Sequence, residues 1–298
     1  MPMTWAYNVS DADPKEIRAT LHRAVELGIT LFDTADVYGP YTNEETLAEF
    51  IVKEGLREKV QIATKCGLVP LDNFSYGRNG RPDYIKKSCE ESLRRLQVDF
   101  IDLYQLHRSD PEVPIEETWG AFADLVKAGK VRAIGLSEAT LDEVKRANAI
   151  HPVASVQSEL SIWSNENIDN GVLGYCNENN IGFLAFSPLG RGFLTGELKA
   201  SEIGKDDFRA ANPRFTESAM RGNQVIIDGI AKIAKRLNAT AAQLSLAWVL
   251  GQGVNVVPIP GTKRRKWLEQ NAEAVELTLS EADFLEIAAL PSSIAPRY

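Results

Sequence analysis

Residues 30–38 read Thr30-Leu31-Phe32-Asp33-Thr34-Ala35-Asp36-Val37-Tyr38, a short apolar run that breaks into polar residues and a turn. The same device returns at 60–66 (VQIATKC), which carries Lys65, and at 100–107 (FIDLYQLH), which ends on His107. β-Branched and aromatic residues suit a strand, and a polar residue at its C-terminal end suits a site built where strands deliver their side chains. Four further runs follow at 131–137 (VRAIGLS), 154–160 (ASVQSEL), 182–188 (GFLAFSP) and 255–260 (NVVPIP), so seven strands are expected. Amphipathic stretches separate them. Pro82 opens one at 82–96 that places Ile85, Cys89, Leu93 and Leu96 on one face. Another at 116–128 turns Trp119, Phe122, Ala123 and Val126 inward and stops at Gly129.

Strand–helix alternation without clustered hairpins implies a parallel sheet. No GxGxxG follows the first strand, as a doubly wound sheet would favour, and the polar strand ends Asp33, Lys65, His107, Ser137, Glu138 and Ser187 would line one mouth of a closed sheet. The expected fold is therefore α/β, a (β/α)8 TIM-type barrel forming one domain over residues 1–298. Only Met1 to about Tyr7 precedes the first helix, expected at 14–27. The first barrel strand is thus expected to be largely missing, with residues 1–7 extended along part of its place at most. Open edges on the flanking strands would then be where a partner chain could pair in an oligomer.

Composition limits the function. The chain has 298 residues, 44% of them hydrophobic and 25% charged, which suits a protein with a sizeable core. A net charge of −8 argues against general attraction to nucleic acid or an anionic membrane, and favours a small-molecule partner. Cys66, Cys89 and Cys176 are widely separated and form no CxxC pair, which speaks against a disulfide framework or zinc site. Met1-Pro2-Met3-Thr4-Trp5 resembles no secretory signal, and no long apolar run occurs, so a cytoplasmic location is expected.

Asp33 and Tyr38 in FDTADVYG, Lys65 in ATKCG and His107 in YQLHR should converge at the barrel mouth. In order and spacing this set resembles the tetrad of the aldo-keto reductases, and the resemblance runs from Trp5 to the helix expected around 281–289. It implies carbonyl reduction with Tyr38 as proton donor, Lys65 as its activator, Asp33 as the partner of Lys65, and His107 orienting a carbonyl substrate. The physics is consistent with those roles. A phenol of pKa about 10 is a poor acid at neutral pH. An ammonium about 4 Å from the phenolate contributes about 4 kcal/mol at an effective dielectric of about 20, roughly three pKa units.

The segment Ser187-Pro188-Leu189-Gly190-Arg191-Gly192-Phe193-Leu194-Thr195-Gly196 holds three glycines where backbone can approach a ligand. Ile259-Pro260-Gly261-Thr262-Lys263-Arg264-Arg265-Lys266 runs into a helix start, and its four consecutive basic residues suit NADPH, with its extra 2′-phosphate, better than NADH. By resemblance the first wraps a pyrophosphate, the second an adenosine phosphate with Gln270 and Asn271 near the adenine, while Ser137 and Gln157 hold the carboxamide and Phe186 stacks on the nicotinamide of NADPH/NADP+. The resemblance implies no metal. Two departures stand out: Glu138 occupies a position where many members have Asn, and Gln270 one where Glu is common. Trp5, Tyr7, Arg108, Trp163 and Phe215, together with Tyr38 and His107, are expected around the substrate, and suggest an aromatic or apolar carbonyl compound. The competing reading is a cofactor-binding regulatory or scaffold subunit with a reductase-like barrel and little turnover.

Overall fold

The computed structural model describes residues 3–7, 12–71, 75–205 and 207–297. Its strands are β1 (Leu31–Asp33), β2 (Gln61–Cys66), β3 (Leu68–Pro70), β4 (Tyr76–Arg78), β5 (Ile101–Leu106), β6 (Val131–Ser137), β7 (Ser155–Glu159), β8 (Gly182–Phe186) and β9 (Val256–Pro258). Seven of them form one sheet in the order β1-β2-β5-β6-β7-β8-β9, and every pairing in it is parallel. The seven expected strands are these seven; the run at 131–137 keeps its full length and the other six are each shortened by one or more residues at an end. Trimmed residues such as Ser187-Pro188 and Pro260 have left the ladder to begin the loops of the mouth. The antiparallel hairpin of β3 and β4 was not expected from the sequence; its two three-residue arms carry Pro70 and Gly77, which weaken any strand signal.

Register brings the chemistry together. Asp33 lies beside Ala63, Lys65 beside Gln105, Ser137 beside Gln157, and Glu159 beside Phe186. Among the described residues the sheet ends at β1 on one side and at β9 on the other. Residues 3–7 form turns and bends, and they add no strand there. They cross towards the mouth loops instead: the Ala6 carbonyl accepts from the Phe208 amide at 2.9 Å, and the Tyr7 carbonyl accepts from Lys263 Nζ at 3.2 Å.

The crossover helices cover the outside of the sheet. Helix Pro82–Leu96 buries Ile85, Cys89, Leu93 and Leu96, the face its periodicity predicted. Helix Ile115–Lys127 buries Trp119 and Phe122 as expected, but Ala123 and Val126 are only half-buried and Ala121 and Leu125 are buried instead. The helix packs on β6 and on both neighbouring helices, Pro82–Leu96 and Leu141–Ile150, so its buried stripe is broader than one row and turned towards them. Trp119 stacks on Phe122 at 5.6 Å between ring centroids, and Phe122 meets Tyr104 of β5 at 5.2 Å. Truncating such a residue to alanine costs about 3–5 kcal/mol.

Candidate active site

Lys65 leaves the C-terminal end of β2 with its side chain completely buried. Its ammonium donates to Asp33 Oδ1 at 2.6 Å and to the Thr34 carbonyl at 2.5 Å. It also lies 5.1 Å from the centre of the Tyr38 ring. Burial pushes the Lys65 pKa below its ordinary value, while the adjacent Asp33 carboxylate opposes that push. The other oxygen of Asp33 accepts from Gln157 Nε2 at 2.8 Å and Gln105 Nε2 at 3.4 Å. A carboxylate held by two amides and an ammonium has little freedom to move.

Tyr38 reaches this point from the turn after β1, where its amide donates to the Ala35 carbonyl at 3.2 Å. His107 meets the Tyr38 ring edge-on, with centroids 5.8 Å apart. Burial first, then the charges of Arg108 and Lys65, hold the His107 pKa well below 6.5. The imidazole is therefore neutral at physiological pH. Its Nδ1 is buried without a hydrogen-bond partner among the described residues, and a neutral ring of this kind can donate to an oxygen from one nitrogen. Asp33, Tyr38, Lys65 and His107 thus meet at one point, at the end of the sheet where such barrels build their sites.

The expected groove runs from there. Ser187, Gly190, Arg191 and Gly192 all have positive φ, between 51° and 97°. At Gly190 a Cβ would lie 2.8 Å from Trp163 Nε1, so only glycine fits. Pro188, Gly190, Arg191 and Leu194 are buried, while Ser187, Leu189 and Gly192 are partly exposed. Ile259 continues the ladder with one bond from its amide to the Ala185 carbonyl at 3.0 Å, and the chain then turns out through Gly261. Thr262 Oγ1 accepts from the Arg264 amide at 3.2 Å, and Arg264 points into solvent. Gln270, with Glu16, Arg265 and Glu269, lines an open cleft of about 750 Å³; Asn271 is half-buried next to it in sequence.

Several expected ligand residues hold protein partners. Gln157 is bonded to Asp33, and Ser137 Oγ accepts from Arg108 Nη1 at 3.1 Å. Phe186 has the Arg297 guanidinium 5.7 Å from its ring centre. Around the mouth, Trp5 stacks on Tyr38 at 5.7 Å and meets Tyr76 of the hairpin edge-on at 6.0 Å. Tyr7 lies under Arg209, 5.1 Å from its ring centre, and burial pushes its phenol up to about 12. Trp163 and Phe215, read from the sequence as rim residues, are buried at 6% exposure each. They pack with Phe193 beneath the 187–196 loop, because burying large rings there supports the loop's unusual backbone.

Four residues at the mouth escaped the sequence reading. Gln105 and Glu159 are each two residues from a residue that was singled out, His107 and Gln157, and so share its strand face; that period was the available signal. Tyr76 sits on the unrecognised hairpin and Arg297 in a segment without periodicity, so neither had one.

A parallel β/α sheet with Tyr, Lys, Asp and His gathered at its C-terminal mouth defines a barrel of the oxidoreductase kind. The family model "Aldo/keto reductase family" matches residues 3–291. A probable aldo-keto reductase of Glycine max is 44% identical over 290 residues, covering 96% of this chain and 82% of its own. An aldo-keto reductase of Schizosaccharomyces pombe, named with NADP(+), is 43% identical over 91% of this chain and 81% of its own. Among solved structures, a glycerol dehydrogenase from Gluconobacter oxydans superposes with a TM-score of 0.82 at 30% identity, covering 91% of this chain and 83% of its own. An aldo-keto reductase from Klebsiella pneumoniae in complex with NADPH does so with a TM-score of 0.74 at 25% identity, covering 95% and 87%. The chain belongs to the aldo/keto reductase family.

Proposed function

We propose that this protein reduces an aldehyde or ketone to an alcohol with NADPH, and that Tyr38 delivers the proton. The observation that carries this reading is the buried Lys65 ammonium, fixed by Asp33 on one side and 5.1 Å from the Tyr38 ring on the other. When bound, the reduced nicotinamide supplies the hydride for the carbonyl carbon. The chain supplies the rest. Lys65 makes phenolate formation at Tyr38 less costly, on the order of 3 kcal/mol at an effective dielectric of about 20 when its ammonium and the phenolate oxygen come within about 5 Å in the reacting complex. His107, kept neutral, donates to the carbonyl oxygen and aligns it for proton transfer from Tyr38. Asp33 keeps the proton on Lys65 against the pull of burial.

The residues fit the dinucleotide. The loop after β8 turns through positive-φ positions where backbone can approach a ligand, and Lys263 and Arg264 offer two cations to a phosphate. NADP(+) in the name of the yeast relative and NADPH in the Klebsiella pneumoniae structure agree with that choice. Aromatic side chains at the mouth, Trp5 and Tyr76 beside Tyr38, suit an aromatic or apolar carbonyl compound. The three buried free thiols are at home in a reducing cytoplasm.

The test is a fluorescence titration with NADPH followed by a panel of aldehydes and ketones, with loss of NADPH absorbance as the readout. Binding with turnover of at least one carbonyl class is the expected outcome. Binding without any turnover would instead favour the regulatory-subunit reading.

A further inference from the structure

Two carboxylates stand side by side at the C-terminal ends of β6 and β7. The Glu159 amide donates to Glu138 Oε1 at 3.0 Å, and both side chains accept from Arg297: Nε reaches Glu159 at 2.7 Å, and Nη2 reaches Glu138. Arg191 and Arg214 also face Glu159, at 3.1 and 3.8 Å. Glu159 itself is buried to 1% exposure. The Arg297 guanidinium lies 5.7 Å from the centre of Phe186, the register neighbour of Glu159.

Its place is set by backbone as well as by charge. Asn212 donates to the Arg297 carbonyl at 3.0 Å, Arg214 Nε to the Ala295 carbonyl at 3.2 Å, and the Ile294 amide to Asn223 at 3.1 Å. Glu138 is held with φ 54°, a left-handed conformation that a glutamate seldom adopts. Its two carboxylate oxygens are both engaged, one by the Glu159 amide and the other by Arg297.

We infer that Arg297 determines the preference of the site for the redox state of its nicotinamide, favouring the neutral reduced ring over the cationic oxidised one. The inference rests on the preceding reading that Phe186 carries the nicotinamide. The two cofactor forms differ at that ring by one positive charge, so fixed charges beside Phe186 discriminate between them. With Arg297 present, three guanidinium groups face the two carboxylates; without it, two face two. The side chains of Arg297 and Glu138 are only 17% and 15% exposed, so salt and water screen this difference incompletely. A carbonyl reductase gains from such a bias, because a weakly held oxidised cofactor leaves sooner and frees the site for NADPH.

The measurement is the pair of dissociation constants for NADPH and NADP+, by calorimetry on the full chain, for wild type, Arg297→Gln and Arg297→Lys. Arg297→Gln is expected to tighten NADP+ relative to NADPH by about tenfold, the effect of one partly screened charge a few ångströms away. Arg297→Lys keeps the charge and should hold the wild-type ratio to within about threefold. An unmoved ratio in Arg297→Gln, equal tightening of both ligands, or a shift as large in Arg297→Lys would each overturn the inference, the last two by showing obstruction or shape at work instead of charge. Should Arg297→Gln fail to fold by circular dichroism, Glu138→Gln tests the same field from the other side and should move the ratio towards NADPH; a shift towards NADP+ or none overturns it. Wild-type protein that binds neither ligand would bring down the cofactor reading itself, and this inference with it.

Discussion

Lys65 and Arg265 each hold a carboxylate, Asp33 at 2.6 Å and Glu16 at 2.9 Å, yet one pair lies at the floor of the mouth and the other at the outer end of the groove. Lys65 has no exposed side-chain surface, whereas Arg265 is 54% exposed. At the floor the central bond, Lys65 to Asp33, joins two groups that the proposed chemistry uses, and breaking it leaves a charge stranded in a low-dielectric interior. Along the groove the bonds join residues suited to a cofactor with stand-ins: Arg265 with Glu16, and Lys263 with the Tyr7 carbonyl. The difference separates what is fixed before any ligand arrives from what can exchange one partner for another.

The sharpest way to break this comparison is at the floor. Tyr38→Phe should abolish carbonyl reduction while leaving NADPH affinity nearly unchanged, since in the proposed mechanism the phenol donates a proton and does not hold the dinucleotide. Retained turnover in steady-state assays would remove Tyr38 from the mechanism. Lys65→Met comes next. Losing about 3 kcal/mol of phenolate stabilisation corresponds to roughly a two-hundredfold drop in kcat, with NADPH affinity again little changed. A loss below tenfold would show that Lys65 is not the activator.

That floor could be read from sequence because its information is local. FDTADVY, ATKC and YQLH each state a strand, its end and one reactive side chain, and parallel pairing does the rest. Three classes of feature were hidden for physical reasons. The hairpin bearing Tyr76 has three-residue arms, too short for period-2 alternation to register. Trp163 and Phe215 look from composition like binding aromatics, and only packing reveals that they support the 187–196 loop from below. Arg297 meets Glu138 across 159 positions of sequence, a pairing that no local pattern encodes.

In the groove the effects should be smaller and selective. Lys263→Ala with Arg264→Ala removes two cations from the proposed 2′-phosphate site, and should weaken NADPH by about tenfold to a hundredfold while barely changing NADH. Equal weakening of both would mean that the basic run reads the pyrophosphate or only the surface potential. Raising the salt concentration should narrow the wild-type preference.

His107 offers a check on the floor by pH. Its folded-state pKa lies well below 6.5, so between that value and about 6.5 the unfolded chain binds a proton that the folded chain refuses. Stability should therefore fall as pH drops below about 6.5, by up to about 1.4 kcal/mol per pH unit from this residue. Melting curves of wild type and His107→Gln should diverge in slope over that window, and parallel curves would show that the imidazole is not held neutral by the fold.

The smallest expected effect comes from Glu16, and it bears most directly on whether the groove's pairings are exchangeable. Its carboxylate accepts from the Arg265 amide at 3.0 Å, and from Arg265 Nε and Nη2 at 3.2 and 2.9 Å. An anion thus already sits at the start of helix Arg265–Ala272, where unpaired amides and the helix dipole favour one. The Arg265 guanidinium and its neighbours hold the Glu16 carboxyl below the usual carboxylate range, so it is charged throughout the neutral region. Glu16→Gln would delete that charge beside the cleft containing Gln270 and release Arg265 towards an incoming phosphate. NADPH should then bind about two- to threefold more tightly at low salt, the scale of an exposed charge pair, and NADH should be unaffected. The gain should vanish in high salt. A weaker NADPH complex would instead mean that Glu16 positions Arg265 for the cofactor, which would make the outer end of the groove as preorganised as the floor.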